Sequence, residues 1–364
     1  MAALDLSTLE IMASGLGYPE GPVHCSDGSI LLVEIKNQQL SLIPADGSTK
    51  QVVASFKGGP NGTAIGPDNR IYVCNDGGFD WIPIPLPNGQ TLDVAGNQPI
   101  DYVGGSLQAY DPASGKVETL YTSCAARENP PGTKVTDWSP AYPLCGPDDL
   151  VVDDAGGIWF TDYGKIRERD RDITGLYYAA ADGSSITQAV YPLNNPNGVA
   201  LSPDGKRLYV ALTFERKIVY YELASPGVII PNTVSGPDQG TLDGSHLLTA
   251  NFEGQAVLDS MAVDSEGNVY VATMLPNGNN PMSNGGISIV SPQGDVSFFP
   301  ITLPDNKFAP LPSNICFGGP DMKTAYITCG GSGYLLKVQS EIAGLKLNCN
   351  GSAFDRSTLT KNAS

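Results

Sequence analysis

The stretch Pro196-Asn197-Gly198-Val199-Ala200-Leu201-Ser202-Pro203-Asp204-Gly205-Lys206-Arg207-Leu208-Tyr209-Val210 decides how the chain reads. An oxygen-bearing residue follows proline, and small and apolar residues come next. A Pro-Asp-Gly turn then leads into a β-rich Leu-Tyr-Val run. That order describes a β-hairpin. Further units of this kind start at Pro19-Glu20-Gly21, Pro60-Asn61-Gly62, Pro147-Asp148-Asp149, Leu258-Asp259-Ser260 and Ser313-Asn314-Ile315, six in all. In each, the turn residue falls eight positions after the oxygen-bearing one. That first position holds Glu20, Asn61, Asp148, Asn197, Asp259 and Asn314, every one with a side-chain oxygen.

From Glu20 to Asn314 there are 294 positions, so one unit averages about 59 residues and six occupy the chain of 364. A single core usually stops growing at about 250–300 residues. Repeats escape that limit because each packs only on its neighbours. Second hairpins lie between the first ones, for example Gln39–Ile43 with a turn at Asp46-Gly47. The expected fold is therefore all-β: a six-bladed β-propeller with about four antiparallel strands per blade. Residues 6–13 are the expected closing strand beside residues 333–338. The whole of 1–364 reads as one domain, with insertions near 80–102 and 125–144. Gly (42) and Pro (29) abundance and only 16% charged residues fit a turn-rich β protein.

The formal net charge of −17 disfavours nucleic acid and anionic membrane surfaces as partners. No apolar run is long enough for a transmembrane helix. The first residues lack a basic then apolar leader, so the expected location is cytoplasmic, with secretion after removal of a leader the alternative. Seven cysteines at irregular spacing, without CxxC, argue against a zinc knuckle. Cys124 and Cys145 flank one insertion, but buried free thiols are the expectation. Oligomeric state has no signature in the sequence.

In a propeller, equivalent positions of all blades lie on one ring. Six oxygens would then converge on the mouth of the channel, three of them carboxylates that raise one another's pKa. A divalent cation resolves that conflict. Oxygen donors without Cys or His select Ca²⁺, or Mg²⁺ and Mn²⁺, over zinc. Such an ion polarises a carbonyl or phosphoryl oxygen, and a spare carboxylate serves as general base. GxSxG, HExxH, P-loop and GxGxxG motifs are absent. With only His24 and His246 in the chain, a histidine triad is hard to build. His24 reads as a packed strand residue, and His246 as part of an insertion.

Several stretches resemble the SMP-30/gluconolactonase/LRE-like family of six-bladed propellers. Tyr18-Pro19-Glu20-Gly21-Pro22-Val23 resembles its E-G-P-V signature. The stretch from Pro196 to Gly205 resembles its P-N-G-x-x-x-S-P-D-G, and Leu258-Asp259-Ser260-Met261-Ala262-Val263-Asp264 its D-[GS]-x-x-x-D. The resemblance spans essentially the whole chain and implies a divalent metal, usually Ca²⁺, held by Glu20, Asn197 and Asp259. Mg²⁺, Mn²⁺ or Zn²⁺ are expected substitutes. Asp148 stands where many members carry Asn, so it is ligand, base or both. The implied activity is opening of a sugar lactone or other small lactone, with Asp259 or Asp148 activating water. Asn61 and Asn314 would line the pocket and orient substrate, and Trp81 and Trp138 would set its size. The alternatives are organophosphate or aryl-ester hydrolysis in the same pocket, or a binding propeller with structural calcium. A strictosidine-synthase-like propeller fits less well, because that group need not hold a catalytic metal.

Overall fold

The computed structural model describes residues 3–86, 89–125, 141–231, 244–254, 256–274, 285–303 and 311–347. No helix occurs among them. Six antiparallel sheets form the blades of a six-bladed propeller. The innermost strands, in blade order, are Pro19–His24, Pro60–Ile65, Pro147–Val152, Pro196–Leu201, Leu258–Val263 and Pro312–Gly318. Each packs on the next, and the last packs on the first, so the ring is closed. At the rim, Leu4–Ala13 pairs antiparallel with Tyr334–Ser340 and supplies the outer strand of the sixth blade. The first residues of the chain thus finish the last sheet, as the sequence leads one to expect.

Each sheet buries both faces against its neighbours, which is why the inner strands are apolar on both sides. The core accordingly falls into clusters between blades. Val23, Leu31 and Val33 meet Ile65, Ile71 and Val73 between the first and second blades. Val151, Trp159 and Leu176 meet Val199, Leu208 and Val210 between the third and fourth. Ile30 and Leu32 meet Tyr326 and Leu335 where the ring closes. A fully buried side chain of this kind is worth about 1.5–3 kcal/mol, so the clusters weld the blades together.

Two local features make the six hairpins equivalent. First, the residue eight positions after the ring residue adopts a left-handed backbone in every blade. Its φ is 84° at Gly28, 67° at Asn69, 81° at Gly156, 66° at Gly205, 86° at Gly267 and 59° at Met322. Glycine and asparagine tolerate this conformation; Met322 occupies it at a steric cost. Second, each innermost strand carries a pairing irregularity where it begins, as between Glu20 and Val23, Pro60 and Thr63, or Pro196 and Val199. The same break occurs at Pro147/Leu150, Leu258/Met261 and Pro312/Asn314. A bulge there bends the strand and re-aims the side chain at that point.

The glycine that follows the ring residue in three blades has a packing cause. A Cβ on Gly62 would stand 2.7 Å from Asp149 Cα, and one on Gly198 would stand 2.7 Å from the carbonyl oxygen of Asp259. Neighbouring inner strands approach too closely at this level for a side chain, so Asn-Gly is a packing signature as much as a turn signature.

The insertion at 80–102 folds as a hairpin of Trp81–Pro85 with Thr91–Ala95, although its Pro-rich run Trp81-Ile82-Pro83-Ile84-Pro85-Leu86-Pro87 reads as a long loop in the sequence. It leaves the second blade and leans towards the first and sixth. Asp93 takes a salt bridge from Lys36 at 2.7 Å, the Asp93 amide donates to Gly331 O, and Gln90 donates to the Tyr334 hydroxyl at 2.7 Å. The insertion at 125–144 and its Trp138 lie mostly outside the described residues. His246 belongs to the outer strand His246–Thr249 of the fourth blade, stacked on Tyr220, and so is not part of an insertion. His24 is a packed residue: it stacks on Tyr326, and its Nε2 accepts from the Gly319 amide. Cys124 and Cys145 are free thiols.

Candidate functional site

All six ring residues are buried: Glu20, Asn61, Asp148, Asn197, Asp259 and Asn314. The fold brings them to the start of six adjacent inner strands, around one axis. Direct contacts stitch the level together. Asn314 Nδ2 donates to Glu20 Oε2 at 2.9 Å, as does the Gly21 amide. The Asn197 side chain donates to Asp259. Thr161 Oγ1 donates to the Asn197 carbonyl at 2.5 Å, and the Val199 amide donates to Asp149 Oδ2 at 3.2 Å.

The charge balance is one-sided. Among the described residues, no ion pair reaches Glu20, Asp148 or Asp259. Burial pushes Glu20 up to about 7, partly offset by its bonds from Asn314 and Gly21. Burial and then the charges of Asp259 and Glu20 hold Asp148 well above the usual carboxylate range. Burial and the charge of Glu20 do the same to Asp259, against the bond from Asn197. Asp149, behind the ring, is pushed up to about 7 by burial and by Glu20. Buried carboxylates in this state need protons or a cation.

The donor set fits a hard divalent cation. It offers carboxylate and amide oxygens, and among the described residues no protein cation pairs with the carboxylates. Among the described residues, no three carboxylate, imidazole or thiolate side chains gather as a ready metal cage. An ion here would therefore be shared between carboxylates and amides.

Sequence reading missed the residues around the ring. Tyr18, with φ of 58°, is buried against the negative charge of Asp259, Glu20 and Asp148, and its ring lies 5.0 Å from that of Trp81. Tyr163 is half-buried beside Asp148 and Asp259. Lys165 is fully buried, 3.1 Å from Asp76 Oδ1 and 3.8 Å from the centre of the Phe79 ring. These residues come from connections on the face of the ring that also carries the 81–95 hairpin. Tyr163 follows Asp148 by fifteen positions, as Asp76 follows Asn61, but the residue type at that place varies from blade to blade, so the repeat did not flag it. Trp138 cannot be placed, because it lies outside the described residues; Trp81 stands on this face, half-buried.

On its other side the ring opens into a space of about 90 Å³. Its walls are aliphatic, including Val23, Ile65, Val199 and Met261, and its far end is closed by Leu345 and Leu347. The Leu345 amide donates to Val263 O and the Gly344 amide to Met322 O, which pins this plug in place. Polar groups reach this space at its ring end, where Thr63, Asp149 and Asn314 line it.

The family model for the SMP-30/gluconolactonase/LRE-like region matches residues 18–331. The chain belongs to this family. It is 26% identical over 346 residues to a gluconolactonase of Zymomonas mobilis, covering 87% of this chain and 78% of that one. It is 26% identical over 267 residues to the lactonase drp35 of Staphylococcus haemolyticus, covering 72% of this chain and 65% of that relative. Regucalcin of Agrobacterium tumefaciens, described as a calcium-binding protein, shares the fold with a TM-score of 0.58 at 14% identity, covering 94% of each chain. In this SMP-30-like chain the ring residues Glu20, Asn197 and Asp259 lie within the matched region, as do Asn61, Asp148 and Asn314.

Proposed function

We propose that the ring is the active site of a lactone-opening hydrolase, and that Glu20, Asn197 and Asp259 hold a divalent cation there, with Ca²⁺ the ion that best suits these donors. The observation that carries this reading is the set of three buried carboxylates, in a ring of six oxygen-bearing side chains, which no ion pair reaches among the described residues. Named lactonases among the relatives support the substrate class. When bound, the ion supplies an electrophile for the lactone carbonyl and offsets the carboxylate charge.

The chain's own groups divide the remaining work. Asp259 is held by Asn197 and by the Ser260 amide, which suits a fixed ligand. Among the described residues no hydrogen bond or ion pair holds the Asp148 side chain, which leaves it free to act as general base. Asp148 takes a proton from water as the water oxygen bonds to the carbonyl carbon. The ring C–O bond then breaks, and the proton passes to the departing alkoxide, giving the hydroxy acid. Tyr18, Tyr163 and Trp81 present rings and hydroxyls to the substrate and keep bulk water away. The cations near the ring are few, so a neutral lactone suits this wall better than a phosphorylated one.

The test is a panel of sugar lactones, aliphatic lactones, aryl esters and phosphotriesters, each assayed with added Ca²⁺ and with chelator. Lactone opening that needs Ca²⁺ is the expected result. Faster turnover of phosphotriesters or aryl esters would move the assignment to those substrates, and no turnover of any class would leave a binding propeller.

A further inference from the structure

Asn61 sits in the ring between the first blade's Glu20 and the third blade's Asp148, and its amide cannot turn freely. Its Nδ2 donates to Asp76 Oδ2 at 3.2 Å. Asp76 is itself locked: Oδ1 accepts from Lys165 Nζ at 3.1 Å and from the Gly78 amide at 2.6 Å. Lys165 is spent on this task, since Nζ also donates to Gly78 O at 2.7 Å and lies over the Phe79 ring. A carboxylate offers only acceptors, so the Asn61 group that faces it must be the nitrogen.

The consequence is an oxygen with no donor. Asn61 Oδ1 is buried and has no hydrogen-bond partner among the described residues. Its neighbours around the ring are Glu20 and Asp148, which in their ionised forms offer it no donor and repel it. Leaving such an acceptor empty costs about 1–3 kcal/mol, and a buried polar atom left alone requires a cause. A cation supplies one. It would satisfy the amide oxygen and the carboxylates together.

We propose that Asn61 Oδ1 is an oxygen ligand of the cation held at the ring, and that Asp76 and Lys165 are positioning residues that keep this oxygen, rather than the amide nitrogen, turned towards it. This rests on the reading of the ring as a cation site. It changes the role of Asn61 from orienting substrate to binding the ion. Lys165, the buried cation of this face, is then a brace for a ligand and not a substrate anchor.

Calorimetric titration of chelator-stripped protein with Ca²⁺ alone separates the two ideas. Wild type should bind, and Asn61→Ala should bind about 10–100-fold more weakly. Asp76→Asn should weaken binding to a similar extent, because its amide would donate to Asn61 and turn that side chain round. If Asp76 acts through Asn61, the double variant should be no weaker than the weaker single one; independent loss of charge would instead multiply the two effects. Circular dichroism and melting in chelator establish that each variant folds. If Asn61→Ala does not fold, Asp76→Asn decides alone. Wild-type binding with Asn61→Ala within about twofold of it, an unchanged Asp76→Asn, or multiplied effects would each overturn the proposal. A wild type that binds no Ca²⁺ would overturn the cation reading beneath it as well.

Discussion

Asn314 Nδ2 donates to Glu20 Oε2 at 2.9 Å, although 294 positions separate the two residues in the chain. The last blade is thus joined to the first at the level of the ring, well inside the rim where Leu4–Ala13 closes the sheet. Ser313 Oγ repeats the connection by donating to Pro19 O at 3.0 Å. Asn314→Ala would remove one of the two donors to Glu20 Oε2, leaving the Gly21 amide. The expected cost is about 1–3 kcal/mol, read as a lower urea midpoint in chelator. An unchanged midpoint would mean that the contact contributes nothing to closure.

The raised carboxylates couple stability to pH. Glu20, Asp148, Asp149 and Asp259 hold their protons more tightly when folded than when unfolded. Their contribution is therefore complete below the unfolded carboxylate range and is lost as pH rises through the folded values, near 7 for Glu20 and Asp149. Ca²⁺ must displace those protons, so its binding strengthens over the same interval. The rise in melting temperature on adding Ca²⁺ should grow from pH 5 to pH 8. A rise that shrinks across that range would contradict the charge balance described for the ring.

Gly62 lies against the third blade, where an added Cβ would meet the Asp148 carbonyl oxygen and the Asp149 backbone. Its backbone is not left-handed, so the effect of Gly62→Ala is one of space. The expected destabilisation is about 1–3 kcal/mol, from overpacking between inner strands. Gly205→Ala is the control: nothing stands near its Cβ, and its φ of 66° isolates the backbone cost. Equal Ca²⁺ affinity in Gly62→Ala and wild type would show that ring geometry tolerates the shift.

Asp148 and Asp259 should separate in their effects. Asp148→Asn should lower kcat by about 10²–10⁴ while leaving Ca²⁺ affinity within a few-fold. Asp259→Asn should weaken Ca²⁺ binding and lower the rate by several orders of magnitude under limiting Ca²⁺. Calorimetry and initial rates on the same preparations check both. An Asp148→Asn variant at full turnover would pass the role of base to another residue.

Much of this was readable in the chain. The eight-residue interval between ring residue and turn is a physical constraint, because position eight is left-handed in all six blades, even where Asn69 or Met322 fills it. The closing strand was readable because a propeller ring is commonly closed by pairing one terminus into the last blade. The ring residues were readable because each unit presents one in the same place. The bulges that re-aim them were not, since a pairing break carries no residue signature of its own. Asp76 and Tyr163 each stand fifteen positions after a ring residue, but the residue type there varies from blade to blade, so the repeat flagged neither them nor Lys165. The 80–102 insertion read as a loop because its prolines mask a strand, yet Pro83 and Pro85 lie in a two-stranded ribbon, where an edge tolerates them.

The most direct test of the ring as a cation-dependent lactonase site is a single titration. Chelator-stripped protein is supplied with a lactone, proton release is followed above the spontaneous background, and Ca²⁺ is added back in steps. The account predicts background rate in chelator and a saturable rise with Ca²⁺, with a midpoint matching the Ca²⁺-induced gain in melting temperature. It also predicts that Glu20→Gln moves both midpoints upward together. Full lactone opening in chelator, or a gain in melting temperature with no gain in rate, would contradict it.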